Sequence, residues 1–207
     1  MPVALKFLAA GRISPFGGRR WPEPFGDAPG HWVRPAGGEV YACRVIDLPW
    51  WLEAELWEVE LEDPVATLEC QLLAPAGRLM RRIQAWDEAA VLEYGAACAL
   101  RARDFAVNVL REEGRTTEAE TLAEPGELDG VARLARSLGA DAVRRRGANL
   151  AAYVAESAAR AAQGAGAAAA NIAANAAVVA RRHPAAFGVE REWQARWIAR
   201  RTGLAQN

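Results

Sequence analysis

The sequence predicts an α+β protein in which a small, curved antiparallel β-sheet part with one short helix precedes an Ala-rich helical bundle. Three observations carry this. The front of the chain is dense in Trp, Gly and Pro and holds one clear period-two strand. From Asp87 onward, apolar residues recur at helical spacing. Residues 151–180 are mostly alanine, the strongest helix former. The expected domains are 1–85, Trp-rich and β-dominated, and 86–207, helical and packed on the first.

A first strand is expected over Val3 to Leu8. Ser14-Pro15-Phe16-Gly17-Gly18 and Trp21-Pro22-Glu23-Pro24-Phe25-Gly26 then break helices and mark turns, with His31-Trp32-Val33 as a further short strand. Val40 to Cys43 reads as a buried strand. A short helix from about Leu48 to Glu55 follows, with Asp47 as its N-cap and Pro49 in its first turn. Trp57, Val59 and Leu61 alternate with Glu58, Glu60 and Glu62, the signature of a half-buried strand. Later strands are expected within Ala66 to Leu73 and Arg78 to Ile83. Arg78 and Arg82 share one face of the last, opposite the glutamates, as cross-strand ion pairs worth about 0–1 kcal/mol each where exposed.

Val91, Tyr94, Cys98, Phe105 and Val109 mark the first long helix, which Gly114 stops. Glu124-Pro125-Gly126 breaks the chain again. Helices are expected at Leu128–Leu138, Asp141–Gln163, Ala167–Arg182 and Val189–Arg201, with joints at Gly139, at Gly164 and Gly166, and at His183-Pro184. A helix that is small-sided almost all round needs neighbours, from its own chain or from a second copy. Trp193 and Trp197, one turn apart, share a face.

The formal net charge of -1, with 52% hydrophobic and 25% charged residues, is that of an ordinary globular protein. No global basic field is present to hold nucleic acid, which is not an expected partner. Lys6 is the only lysine, and the rest of the 25 basic residues are arginine. With the abundant Ala and Gly, this points to a GC-rich bacterial genome. Cys43, Cys70 and Cys98 have neither zinc-knuckle nor redox spacing, so no metal site is expected. Their odd number, without a signal peptide, points to reduced thiols in the cytoplasm. Ala161 to Ala180 carries Gln163, Asn171 and Asn175, and alanine is barely hydrophobic on insertion scales. A packed helix is expected there rather than a membrane span.

Several groups are candidates for chemistry. Glu58, Glu60 and Glu62, with Glu53, Glu55 and Glu69 nearby, form the most acidic stretch. Paired carboxylates act as acid and base or hold a hard cation, and a strand's solvent face has the same pattern. Cys43 reads either as an inert core thiol or as a nucleophile with His31 as its base. His183, at a helix end, suits a C-terminal dipole. The candidate ligand-binding residues are Trp21, Trp32, His31, Arg34, Tyr41 and Trp50. Aromatic faces beside Arg12, Arg19, Arg20 and Arg34 suit a base, sugar or nicotinamide, and they equally suit the core of a small sheet domain. No phosphate loop, paired-glycine dinucleotide fingerprint or zinc-protease helix motif is present.

Residues 5 to about 62 resemble an uncharacterised bacterial and phage family. Its pattern runs from a first strand through a Gly- and Trp-containing loop to a Gly-x-His-Ala-Cys strand, then a short helix and a strand ending Val-Glu-Leu. The matching residues are Lys6-Phe7-Leu8, Trp21, Trp32, Gly38-Glu39-Val40-Tyr41-Ala42-Cys43 and Glu58-Val59-Glu60-Leu61. Tyr41 stands where the pattern has histidine, so any role of that histidine is lost or altered. This resemblance implies a shape and no chemistry. Glu58-Val59-Glu60 also resembles the Glu-x-Glu of ADP-ribosyltransferases. That likeness implies Glu60 as the catalytic carboxylate beside Glu58, Arg12 as the family's early arginine, and NAD as co-substrate. The family's Ser-Thr-Ser element has no counterpart among Ser14, Ser137 and Ser157.

The leading expectation is a non-catalytic intracellular binding or assembly module that needs no cofactor. It would join a protein partner or a second copy through its helical region, away from any membrane. The alternative is nucleotide-dependent transfer, with Glu60 stabilising an oxocarbenium-like centre and Trp side chains walling the nicotinamide.

Overall fold

The computed structural model describes residues 4–36, 38–124, 127–140 and 146–204, and for 138–140 and 148 the backbone alone. Of the expected features, Val3, Pro125-Gly126 and the helix start from Asp141 to 145 lie outside the described residues. The protein is α+β, with two three-stranded antiparallel sheets followed by helices. The chain divides into two compact units, Met1–Ala90 with Ala195–Asn207, and Val91–Gln194.

In the first unit the strands are β1 (Ala4–Leu8), β2 (Val40–Ala42), β3 (Glu55–Leu61), β4 (Ala66–Leu68), β5 (Gln71–Ala74) and β6 (Gly77–Arg82). One sheet has the order β1-β3-β6 and the other β2-β5-β4. They are joined twice. Leu5 and Cys43 exchange both backbone hydrogen bonds, at 2.8 and 2.7 Å. β5 runs into β6 through Pro75-Ala76 alone, so one bent strand serves both sheets. β1, β3, β6, β5 and β2 therefore form a closed circuit, which removes most of the exposed sheet edge. Val33 adds a bridge to Gly77 at the bend. A Cβ at Gly77 would lie 3.0 Å from Val40 Cγ1 and 3.3 Å from the Glu60 carbonyl oxygen, so the corner admits only glycine without a shift.

Alternation sorts the side chains of this circuit into two faces. Ala4 and Leu8 of β1, Val40 and Ala42 of β2, Val59 and Leu61 of β3, and Leu79 of β6 form one buried cluster with Trp21. The opposite face of β1 is also covered, for Phe7 meets Trp86 edge-on at 5.4 Å. Hence β1 is buried on both sides.

Several elements differ from expectation. His31-Trp32-Val33 forms no strand beyond the single bridge at Val33. The expected helix from Leu48 to Glu55 is instead a short 3-10 helix over Val45–Trp50. Glu55 is already committed to the ladder opposite Leu8, which leaves no room for helix beyond Trp51. Asp47 lies inside this turn, and its buried carboxylate accepts from the Arg44 amide at 3.2 Å and from Arg44 Nε at 2.6 Å. Ala66 to Leu73 is a hairpin of two strands. In β6, Met80 is an extra residue: Val59 pairs with Leu79 but Glu58 with Arg81. The bulge puts Arg81, not Arg82, across from Glu58.

The helices are α1 (Glu88–Glu112), α2 (Thr116–Ala123), α3 (Leu128–Ala140), α4 (Arg146–Ala162), α5 (Gly166–Arg181) and α6 (Ala186–Thr202). α2 is an addition to the expected set, since Gly114 and Glu124-Pro125-Gly126 read as two adjacent breaks. Asp87 Oδ1 accepts the Ala90 amide at 2.8 Å and caps the start of α1. His183 Nδ1 accepts the Ala185 amide at 3.1 Å, so the side chain caps the turn that leads into α6 instead of the end of α5.

The second unit buries the small face of α5, including Ala169, Ala170, Ala173, Ala174 and Ala177, within a single chain. Close approach is the reason for the small residues. At Gly95 in α1 a Cβ would lie 3.3 Å from both Cα and Cβ of Ala161. A polar network runs through this packing. Arg101 Nε donates to both Glu190 oxygens at 3.0 and 2.8 Å, and its guanidinium lies 4.6 Å from the Trp193 ring centroid. Arg191 donates to Gln194 and Asn171, Gln194 to the Ala170 carbonyl, and Ser157 to the Ala169 carbonyl. Burial holds the Glu190 carboxyl above its usual range, and Arg101 offsets only part of that shift.

Candidate functional site

The first unit holds a pocket of about 330 Å³. This is at the small end of ligand sites, which run to about 300–1,000 Å³. Its walls come from β1, β2 and the loop from Ser14 to Trp21, closed by Trp51 after the 3-10 helix. Phe16 meets Trp51 edge-on at 6.0 Å yet is 87% exposed, so one aromatic wall stands at the mouth. Trp21 forms the floor, only 3% exposed, and its indole N–H donates to Ser14 Oγ at 2.9 Å.

Lys6 is the polar centre of this pocket. It sits on the inward row of β1 between Ala4 and Leu8, paired across the ladder with Trp57. Its Nζ donates to the Tyr41 carbonyl oxygen and lies 5.2 Å from the Trp21 ring centroid. Among the described residues it has no ion-pair partner. Burial of the ammonium in this apolar setting lowers its pKa to about 8. Arg19 and Glu39 also line the pocket, so its charge is mixed at the edge and cationic at its heart.

The sequence-predicted ligand residues divide. Trp21 and Tyr41 line the pocket; Trp32, His31, Arg34 and Trp50 do not. Trp32 instead lies under Arg78, whose guanidinium is 4.8 Å from its centroid. Arg34 forms an ion pair with Glu62 that lowers the carboxyl's pKa through its hydrogen bond. His31 is exposed and Trp50 is 49% exposed. The predicted catalytic set has other partners too. Glu60 accepts from Arg78 Nε at 2.7 Å, Glu58 from Arg81 Nε at 2.6 Å, and Arg12 pairs with Glu23 at 3.0 Å. Glu58 and Glu60 alternate with Trp57 and Val59, so they project from the face of β3 opposite the buried cluster. Of the glutamate ladder, Glu58 and Glu60 form ion pairs across to β6, and Glu62 pairs with Arg34 of the loop before β2.

Cys43 is buried, its Sγ donates to the Leu5 carbonyl at 3.3 Å, and burial pushes its thiol well above the usual range. That is the chemistry of an inert thiol. All three cysteines are free. Among the described residues no group of three or more His, Cys, Asp or Glu is placed to hold a metal ion, and no helix is long and apolar enough to cross a membrane.

Sequence reasoning missed Lys6, Phe16 and Trp51. The signal for Lys6 was available, because a sole lysine at a strand position between two inward apolar residues is out of pattern. Phe16 and Trp51 meet only through the folded loop and had no such signal. Comparison with protein-family models, curated proteins and solved structures finds no match to this chain.

Proposed function

We propose that this protein is a binding module whose first unit takes a small ligand with a flat apolar body and an electron-rich polar end. The observation that carries the reading is one desolvated ammonium, Lys6, set among Trp21, Phe16 and Trp51 in a pocket of about 330 Å³. The apolar walls supply contact area, and the half-buried ammonium of Lys6 fixes orientation. Transfer from NAD draws less support, since Glu60 and Glu58 are neutralised by arginines on another face. Assembly through the alanine face of α5 also draws less, since that face is filled from within the chain.

A titration of tryptophan fluorescence with aromatic carboxylates such as 2-naphthoate tests the reading. Saturable quenching is expected from wild type, and it should be lost in Gly17→Trp. Gly17 lines the pocket, and a Cβ there meets nothing within 4 Å, so the new indole can be placed without backbone strain. Quenching that stays linear and unsaturable, or is unchanged by Gly17→Trp, would reject the pocket as a ligand site.

A further inference from the structure

We propose that Lys6 is a site of covalent capture, its amine condensing with an aromatic or apolar aldehyde held in the pocket of the first unit. This rests on the reading of that pocket as a ligand site, and it names the ligand's reactive group.

A lysine condenses with a carbonyl only through the neutral amine, and it must meet the carbonyl carbon with its lone pair free. The pocket supplies both conditions. No carboxylate among the described residues holds Lys6 as an ammonium, and the walls around it are poor solvents for charge. With its pKa lowered to about 8, about a tenth of Lys6 is neutral at pH 7 and about half at pH 8, where an exposed lysine is almost wholly charged. One N–H is tied to the Tyr41 carbonyl oxygen, which aims the nitrogen while leaving its lone pair unused. Trp21 and the Phe16–Trp51 pair offer faces to an aromatic body beside that nitrogen.

The step balances without oxidant or reductant. Solvent removes one proton from the ammonium, and the nitrogen lone pair attacks the carbonyl carbon. The carbonyl π pair moves to oxygen, which takes up a proton while the nitrogen sheds one, giving a neutral carbinolamine. Its hydroxyl is protonated and leaves as water while the nitrogen pair forms the C=N bond. Ammonium plus aldehyde thus gives a protonated imine and one water. The Ser14 hydroxyl and the Glu39 carboxylate line the same pocket and are able to pass protons.

The composition makes the test direct, because Lys6 carries the only lysine amine of the chain. The protein is incubated near pH 8 with 2-naphthaldehyde and cyanoborohydride, then read by intact mass and peptide mapping. The chain's α-amino group is the internal reference. Its ordinary pKa of about 7.7–8.0 is close to that of Lys6, so unequal labelling reports the pocket and not basicity. Lys6 should be modified at least about tenfold faster than the α-amino group, as expected for a positioned reactant. Excess 2-naphthoate, which fills the pocket but cannot condense, should suppress that labelling. In Lys6→Arg the adduct should vanish while naphthoate still quenches. If naphthoate binds the wild type but Lys6 is labelled no faster than the α-amino group, covalent capture is overturned and the ligand site stands. If naphthoate does not bind and Lys6 is not labelled, both fall. The wild-type map alone decides these outcomes, whatever the folding of the variant.

Discussion

Arg101 Nε lies 2.8 Å from Glu190 Oε2, and the two residues are 89 positions apart in the chain. The Glu190 side chain is 1% exposed while that of Arg101 is 30% exposed, so the carboxylate bears most of the burial. Burial raises the Glu190 pKa despite its partner, which means desolvation outweighs the attraction. The pair ties α1 to α6 without adding much net stability.

Removing one partner is therefore the damaging change. Glu190→Ala should cost about 3 kcal/mol, the low end for a broken buried pair because Arg101 still reaches water. Replacing both, Arg101→Met with Glu190→Leu, should restore wild-type stability or exceed it by about 1 kcal/mol. Urea unfolding of the two single variants and the double variant gives the comparison. Equal losses for the single and double variants would contradict this account.

Glu55 anchors the loop over the pocket. Its two oxygens accept the Gly11 amide and the Trp57 indole N–H, each at 3.0 Å, and the residue is 8% exposed. Glu55→Ala leaves both donors unpaired and should cost about 2–4 kcal/mol. Glu55→Gln keeps one acceptor and should cost less, about 1–2 kcal/mol. Denaturation midpoints check the order, and the alanine variant should also weaken naphthoate quenching.

Gly95 sets the spacing of α1 against Ala161. Gly95→Ala brings a contact at 3.3 Å, tight but short of a hard clash. The gain in helix propensity of about 1 kcal/mol should roughly cancel it. Gly95→Leu adds far more volume than the gap holds and should lose about 2–3 kcal/mol. Thermal unfolding of the two variants distinguishes this from a flexible contact, where both would be neutral.

Lys6 should titrate with a midpoint of about pH 8, seen as a rise in its rate of trace acetylation relative to free N-acetyl-lysine amide. The stability sign follows from the same shift. The folded pKa is depressed, so the ammonium penalises folding fully below pH 8, and that penalty is relieved as pH rises toward 10.5. Lys6→Met should lack this Lys6-dependent rise in stability between pH 8 and 10.5.

Regular elements were legible in the sequence wherever one local pattern decided them. β3 follows from its Trp57–Glu58 alternation, and α1 from the Tyr94–Cys98 spacing with Asp87 before it. The Arg78–Glu60 pair was legible for the same reason. What failed depended on partners distant in sequence. The choice of Arg81 over Arg82 is made by the bulge at Met80, which no propensity records. The end of the 3-10 helix is set by the pairing of Glu55 with Leu8, 47 residues earlier by their own numbers. The pocket was half-read because Trp21 and Tyr41 stood out as aromatics, whereas Lys6 gains its setting only when β1 takes its register.

The two-residue joint Pro75-Ala76 works as a reading frame for the fold. A strand that serves two sheets must keep phase across its bend. One residue added or lost there would turn Leu79 outward and Arg78 inward along the whole of β6, while β5 stayed in step with β2. The outward-facing side chains along this strand are free to drift in evolution, but its length at the corner is not. Natural variants should therefore show substitutions at the exposed Pro75 far more readily than single-residue insertions or deletions at the joint.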